Sequence, residues 1–102
     1  MYVHVTIELK YAAIAEFVPP MTRVAEIMTG AGWQLREALA QNSGRLFTVR
    51  HVWKIKDLSH YQAGVDALVQ HADFPALAEQ LAKVVETETI HFASAMPYAP
   101  AE

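Results

Sequence analysis

The chain contains no cysteine. That absence removes disulfides, thiolate nucleophiles and thiolate metal sites together, and frees the fold from any need for an oxidising compartment. Positive charge is in short supply: 8 Lys and Arg against 11 Asp and Glu give a formal charge of −3, the wrong sign for neutralising a phosphate backbone. Nucleic acid is therefore not an expected partner. Glycine is scarce, with 4 residues and no glycine-rich loop of the kind that holds a nucleotide phosphate. No apolar run approaches the roughly 20 residues of a membrane span. The start Met1-Tyr2-Val3-His4 lacks the basic-then-apolar order of a secretory signal. A cytoplasmic protein that does not engage membranes is the expectation. His-x-His, His-Glu-x-x-His and calcium-type acidic spacing are missing, and Ser43, Ser59 and Ser94 lie outside any nucleophile elbow. No metal, no cofactor and no serine nucleophile is expected; only a site that the fold assembled from His4, His51 and His91 would suit a metal.

What the chain does have is apolar residues, 53% of its 102 positions, enough for one core and too few residues for two ordinary domains. Two periodicities alternate along it. From Tyr2 to Lys10 the period is two, with Val3, Val5, Ile7 and Leu9 on one face and His4, Thr6 and Glu8 on the other, which predicts a strand. From Ala12 to Thr29 the spacing of Ile14, Phe17, Val18, Met21, Val24, Ile27 and Met28 is helical. Pro19-Pro20 predicts a kink or a fresh start within it, and Gly30 and Gly32 an end. A strand from about Trp33 to Ala40, a turn at Gln41-Asn42-Ser43-Gly44 and a strand from about Leu46 to Ile55 read as a hairpin. Asp57 is placed to cap a helix with the stripe Leu58, Tyr61, Val65, Leu68 and Val69. After a break at His71-Ala72, Asp73 offers a second cap, and Phe74, Leu77, Leu81, Val84 and Val85 carry on the helical spacing. A last strand runs from about Glu88 to Ala95.

The order β-α-β-β-α-β predicts an α+β domain with an antiparallel sheet in the order 4-1-3-2 and its helices on one face. The other face would expose Val52 and either Ile90 or Phe92 to water. Pairing two such faces about a twofold axis would cover them, so a homodimer with an interface of about 1,600 Å² is expected.

Four short segments carry a family resemblance. Arg50-His51-Val52-Trp53-Lys54-Ile55-Lys56-Asp57-Leu58 resembles the strand-to-helix segment h-x-W-x-x-x-D-L of the NIPSNAP family. Ile7-Glu8-Leu9-Lys10-Tyr11 is similar to its y-E-L-R-x-Y. Ala31-Gly32-Trp33 resembles its step into the second strand, and Glu86-Thr87-Glu88-Thr89 its entry to the fourth. The chain departs from the family where a Pro-Gly turn usually follows the first strand; here Tyr11-Ala12-Ala13 runs on directly. The resemblance implies a ferredoxin-like fold that pairs into a dimeric α+β barrel. The wider superfamily of such barrels, with its small monooxygenases, fits almost as well. Activity is left open, because this fold hosts enzymes, binders and proteins of unassigned role.

If the apolar face of the first strand meets the helices, His4, Thr6 and Glu8 face the other way. The same reading of the third strand sends Phe47, Val49, His51, Trp53 and Ile55 to the helices and Thr48, Arg50, Val52 and Lys54 to the opposite side. A one-residue bulge would instead put His51 and Trp53 there. Gln34 and Arg36 from the second strand and Thr89, His91 and Ala93 from the fourth join that side. Arg50, with Arg36, Trp53 and Tyr61, is thus a candidate anchor for a small organic ligand, and His4, Glu8 or His91 a candidate acid or base. The structural alternatives are specific. Arg50 and Glu8 can pair with each other across an interface, Trp53, Trp33 and Tyr61 can be core, and His60 and His71 can be solvated. Two functions remain: a small-molecule binder or cofactor-independent enzyme, with a pocket between sheet and helices or inside the barrel, and a non-catalytic dimeric module whose polar interior satisfies itself. The aromatic and glycine pattern that an RNA-recognition strand needs is absent from Leu46–Val52.

Overall fold

The computed structural model describes residues 1–101. Its elements are β1 (Tyr2–Leu9), α1 (Ile14–Gly30), β2 (Gln34–Ala40), β3 (Thr48–Lys54), α2 (Leu58–Gln70), α3 (Phe74–Ala82) and β4 (Val85–Ala93). The four strands form one antiparallel sheet in the order β2-β3-β1-β4, the expected order 4-1-3-2. The fold is ferredoxin-like, with the second helical segment split in two.

The period-two pattern of β1 decides which face is covered. Val3, Ile7 and Leu9 are buried to within 2% and Val5 to 9%, so this face lies under the helices. Side chains directly opposite in an antiparallel pair share a face, and Val5 pairs with His51 while Val3 pairs with Trp53. Val49, His51, Trp53 and Ile55 are all buried, which fixes the parity of β3 with His51 and Trp53 toward the helices and Arg50 away from them. On β4, Ile90 pairs with Val5 and Phe92 with Val3. Both therefore stand on the helix side, and the expectation that one of them faces the open side is corrected. Their exposure, 38% and 46%, comes instead from β4 being an edge strand that the helices only partly overhang.

Several local expectations change. No fresh start occurs at the prolines: α1 is one helix from Ile14 to Gly30 with Pro19 and Pro20 inside; Pro20 is buried and Val18 is exposed. β4 starts at Val85, three residues earlier than the helical spacing suggested. Leu58 and Val69 of the α2 stripe are exposed, while Tyr61, Val65 and Leu68 pack on the core. Asp57 does cap α2, its carboxylate accepting from the His60 N–H at 2.8 Å. Asp73 makes no capping bond to α3; its carboxylate accepts from Arg23 Nε at 3.0 Å instead, which ties α3 to α1. His60 and His71 are not free in solvent. His60 Nδ1 accepts from the Lys56 N–H and its Nε2 lies 3.1 Å from the Ala31 carbonyl, and His71 Nδ1 accepts from the Asp73 N–H.

Where the family's Pro-Gly turn is missing, Ala12 takes φ +59. This is the left-handed region, which costs a residue with a Cβ roughly 1–2 kcal/mol. The turn is closed by the Ala13 N–H donating to the Lys10 carbonyl at 3.1 Å, so the chain keeps the turn and bears its strain.

Candidate functional site

Two surfaces of this sheet are candidates, and the sequence residues divide between them. On the helix side, the space between the sheet and the three helices holds a half-open cavity of about 480 Å³, within the range of small-molecule sites. Its floor is β1 and β3, with Val3, Val5, Ile7, His51 and Trp53. Its roof comes from all three helices, and its side along β4 from Val85, Glu88 and Ile90. A run of rings borders it at Trp33, Trp53 and Tyr61. Trp33 lies 5.7 Å from Trp53 edge-on and 5.3 Å from Tyr61, and Tyr61 lies 4.9 Å from Phe92 edge-on. This run is held by the Trp33 indole N–H donating to the His60 carbonyl at 3.2 Å, and by Gly64, whose missing side chain lets α2 close onto the Trp33 indole.

Within this mostly apolar lining stand an imidazole, His51, and a carboxyl, Glu88, besides the Tyr61 phenol. The imidazole and the carboxyl flank β1 on its helix side: His51 is opposite Val5 on β3, and Glu88 is opposite Ile7 on β4. His51 is 5% exposed, and burial lowers its pKa below the ordinary imidazole value, so the ring is neutral at physiological pH. Glu88 is exposed on the β4 edge, yet the apolar side chains around its carboxyl raise its pKa by desolvation; contact with solvent keeps that shift in check. A neutral imidazole in an apolar floor is a hydrogen-bond donor on one nitrogen and an acceptor or base on the other.

Of the residues singled out from sequence, Trp53 and Tyr61 line this cavity. The other five stand on the uncovered face. His4 is directly opposite His91. Glu8 pairs with Arg45 at 2.9 Å rather than with Arg50, and Arg45 also binds Glu86 at 2.8 Å. Arg50 donates to the Gln41 side-chain carbonyl at 2.9 Å. Arg36 lies where the β2–β3 register shifts between Leu35 and Glu37, and donates to Gln34 at 2.9 Å. The structure thus brings His4 and His91 together, and separates Glu8, Arg36 and Arg50 into local pairs. Among the described residues, no group of three or more His, Asp or Glu side chains is arranged to hold a metal, and no helix is long and apolar enough to cross a membrane.

Glu88 was not among the candidates from sequence, and His51 entered only as a conceivable metal ligand with His4 and His91, although a signal for both was present. Each is a lone titratable residue in the apolar half of an alternating strand, His51 between Val49 and Trp53 and Glu88 two residues before Ile90.

Comparison with known proteins follows the fold closely. The NIPSNAP family model matches residues 6–100. An uncharacterised NIPSNAP domain protein from Burkholderia xenovorans superposes with a TM-score of 0.84 at 23% identity, over 99% of this chain and 100% of that one. A NIPSNAP family protein of unknown function from Agrobacterium tumefaciens gives 0.86 at 16% identity, over 97% and 90%. SnoaB, a cofactor-independent oxygenase from Streptomyces nogalater, gives 0.64 at 16% identity, over 96% of both chains. No functionally curated protein matches the sequence.

Proposed function

The chain belongs to the NIPSNAP family, and from that premise we propose that it binds a small organic molecule in the cavity between the sheet and its helices, with His51 as the group that acts on or orients it. The observation that carries this reading is the pocket itself: about 480 Å³ of mostly apolar, half-open space with one buried imidazole in its floor. A concave cleft lined mostly by apolar side chains, with a few polar groups converging on it, is the usual form of a small-molecule site. A neutral imidazole there is suited to take a proton from a weakly acidic ligand or to hydrogen-bond a carbonyl, chemistry that asks for no cofactor. The distant likeness to a cofactor-independent oxygenase agrees with that class of reaction. In this reading Trp53 and Tyr61 are the walls of the site.

The open face belongs to the second part of the proposal. Val52 and Leu39 stand there among polar side chains, opposite His4 and Arg50 in the strand register, and a second copy packed on this face would bury them and bring His4, Glu8, Arg36, Arg50 and His91 into the interior of a two-sheet barrel. The pairs that Glu8, Arg36 and Arg50 already make favour an interface role for them over a catalytic one. They also support the alternative function, a dimeric module without chemistry.

Filling the cavity tests the first part. Ala78 lines it from α3, and Ala78→Trp puts an indole into the void. An apolar fluorophore such as anilinonaphthalene sulfonate, or a co-purifying metabolite seen by native mass spectrometry, is expected on the wild type and reduced at least about tenfold on the variant. Equal binding by a folded Ala78→Trp protein would place the ligand elsewhere. Arg50→Ala tests the second part: loss of the dimer with ligand retained supports the interface role, whereas loss of ligand from an intact dimer moves the site to the barrel interior.

A further inference from the structure

Resting on the cavity as the ligand site, we infer that its ligand is uncharged: an apolar ring system with a hydroxyl or carbonyl group that meets His51, and not a carboxylate, a phosphate or an ammonium. The argument begins with what the lining omits. Among the described residues, no lysine and no arginine lines the cavity. The arginines that a sequence reading would assign to an acidic ligand, Arg50 and Arg36, are on the opposite face of the sheet, engaged by Gln41 and Gln34. Arg23, the basic residue of α1, is turned to Asp73 and Glu26. An anion entering the cavity would therefore leave water with no cation to receive it, and an isolated buried charge is among the costliest arrangements a protein can make.

The polar atoms that do reach the cavity set the rest. The Trp33 indole N–H is already committed to the His60 carbonyl. That leaves the His51 ring in the floor, the Tyr61 hydroxyl beside the ring cluster and the Glu88 carboxyl on the β4 side. His51 and Glu88 are separated by the whole width of β1 and offset by two residues along it, about 12 Å between their backbones from the strand spacing and rise. They do not form one charged pair that a single ionic group could replace. A ligand ammonium would find only Glu88, at the exposed rim, and would draw its charge away from the imidazole. A neutral hydroxyl or carbonyl satisfies His51 without moving any charge into the apolar interior, and its rings fill the space between Trp53, Tyr61 and the α3 leucines.

A matched set of naphthyl probes tests this on the full chain at neutral pH, read by fluorescence titration: naphthol, naphthoate, naphthylmethylammonium and the parent hydrocarbon. Naphthol is expected to bind at least about tenfold tighter than either ion, and several-fold tighter than naphthalene. His51→Leu is expected to abolish the preference of naphthol over naphthalene while leaving naphthalene binding in place. His51 is 5% exposed among Val49, Trp53 and other apolar side chains, and leucine is apolar and of similar size, so folding is expected to be preserved. Should that variant fail to fold, Tyr61→Phe provides the second reading, with a smaller loss of the same preference. Naphthoate or the ammonium binding as tightly as naphthol overturns the inference and leaves the cavity as a binding site. Failure of all four probes on the wild type, with Ala78→Trp making no difference to any ligand, overturns the site itself.

Discussion

The two faces of this sheet are made from the same strands and often from adjacent residues, yet they obey different physics. Trp53 and Lys54, His51 and Val52, Val3 and His4 are neighbours in sequence and stand on opposite sides. The helix side is dry: its charged groups are reduced to one buried histidine and one carboxylate at the rim, and both have pKa values displaced toward the neutral form by desolvation. The open side is wet and carries more of the charge, distributed into short-range pairs that solvent can reach. A residue's contribution here follows from the parity of its position more than from its type. A histidine at 51 is a potential base in a low-dielectric enclosure. A histidine at 4 or 91 is a surface group awaiting whatever covers that face.

The sharpest way to break this contrast is a pair of deletions. Trp53 is 3% exposed and packs on Trp33, so Trp53→Ala is expected to cost about 3–5 kcal/mol in urea unfolding. His4, opposite in parity and exposed, is expected to change stability by no more than about 0.5 kcal/mol as His4→Ala in the isolated protomer. A His4→Ala loss comparable to that at Trp53 would mean that the open face is itself a core, closed by a second copy.

Much of this contrast was legible in the residues. The alternation of Val3, Val5, Ile7 and Leu9 against His4, Thr6 and Glu8 fixed β1, and the register then carried its parity to β3 and β4. Asp57 announced the start of α2, and the four family segments pointed to the fold that the structure has. The residues allowed a pocket between sheet and helices but could not choose it over the barrel interior or name most of its lining, for a physical reason. Periodicity tells which side of a helix faces the core but not how closely the helix approaches, and that distance is set by contacts remote in sequence such as Gly64 under Trp33 and the Arg23–Asp73 bridge. The shift of register at Arg36 was silent as well, since neither glycine nor proline marks it. Pro19-Pro20 brought no fresh start because a helix held along its length by Phe17, Pro20, Val24 and Ile27 recovers in packing what it loses in two hydrogen bonds.

Gly64 offers the next largest effect. A methyl group there would run into the Trp33 indole, which is 5% exposed and fixed by its bond to His60, so the ring cannot yield without disturbing Trp53 and Tyr61. Gly64→Ala is expected to destabilise by about 1–3 kcal/mol from overpacking, even though alanine gains about 1 kcal/mol in helix propensity. Near-ultraviolet circular dichroism, which reports the ring cluster, should change with it. A stabilised variant with an unchanged spectrum would show that α2 does not press on the ring cluster there.

Acid sharpens the comparison further, because the two cavity groups respond with opposite sign. His51 has a lowered pKa in the folded state. Between the unfolded value near 6.5 and the lower folded one, the unfolded chain binds the extra proton, so this contribution to stability is intact above that window and is lost as pH falls through it. Glu88 has a raised pKa; its unfavourable ionisation burdens the folded state above the folded value and is relieved as pH falls toward 4.5. Wild type is therefore expected to lose urea resistance between neutral pH and pH values below 6.5 to a greater extent than His51→Leu. Glu88→Gln is expected to be slightly more stable than wild type at neutral pH, by less than about 1 kcal/mol. Parallel pH profiles for wild type and His51→Leu would remove His51 from the dry side of the comparison.

The smallest effect falls on the wet side and is informative because it should be small. Arg45 reaches Glu8 at 2.9 Å and Glu86 at 2.8 Å and leans on the Leu9 carbonyl, with all three charged side chains between about a third and a half exposed. Ion pairs in that setting trade Coulomb attraction against side-chain entropy and yield about 0–1 kcal/mol, and salt at 1 M shortens the screening length to about 3 Å. Arg45→Ala is therefore expected to lower stability by at most about 1 kcal/mol in dilute buffer, with the difference disappearing in concentrated salt. The variant also removes the Arg45 partner of Glu8, a carboxylate of the open face. A loss above about 2 kcal/mol that persisted in salt would mean that Glu8 is shielded from solvent in the assembled protein, so that the open face is buried as thoroughly as the one beneath the helices.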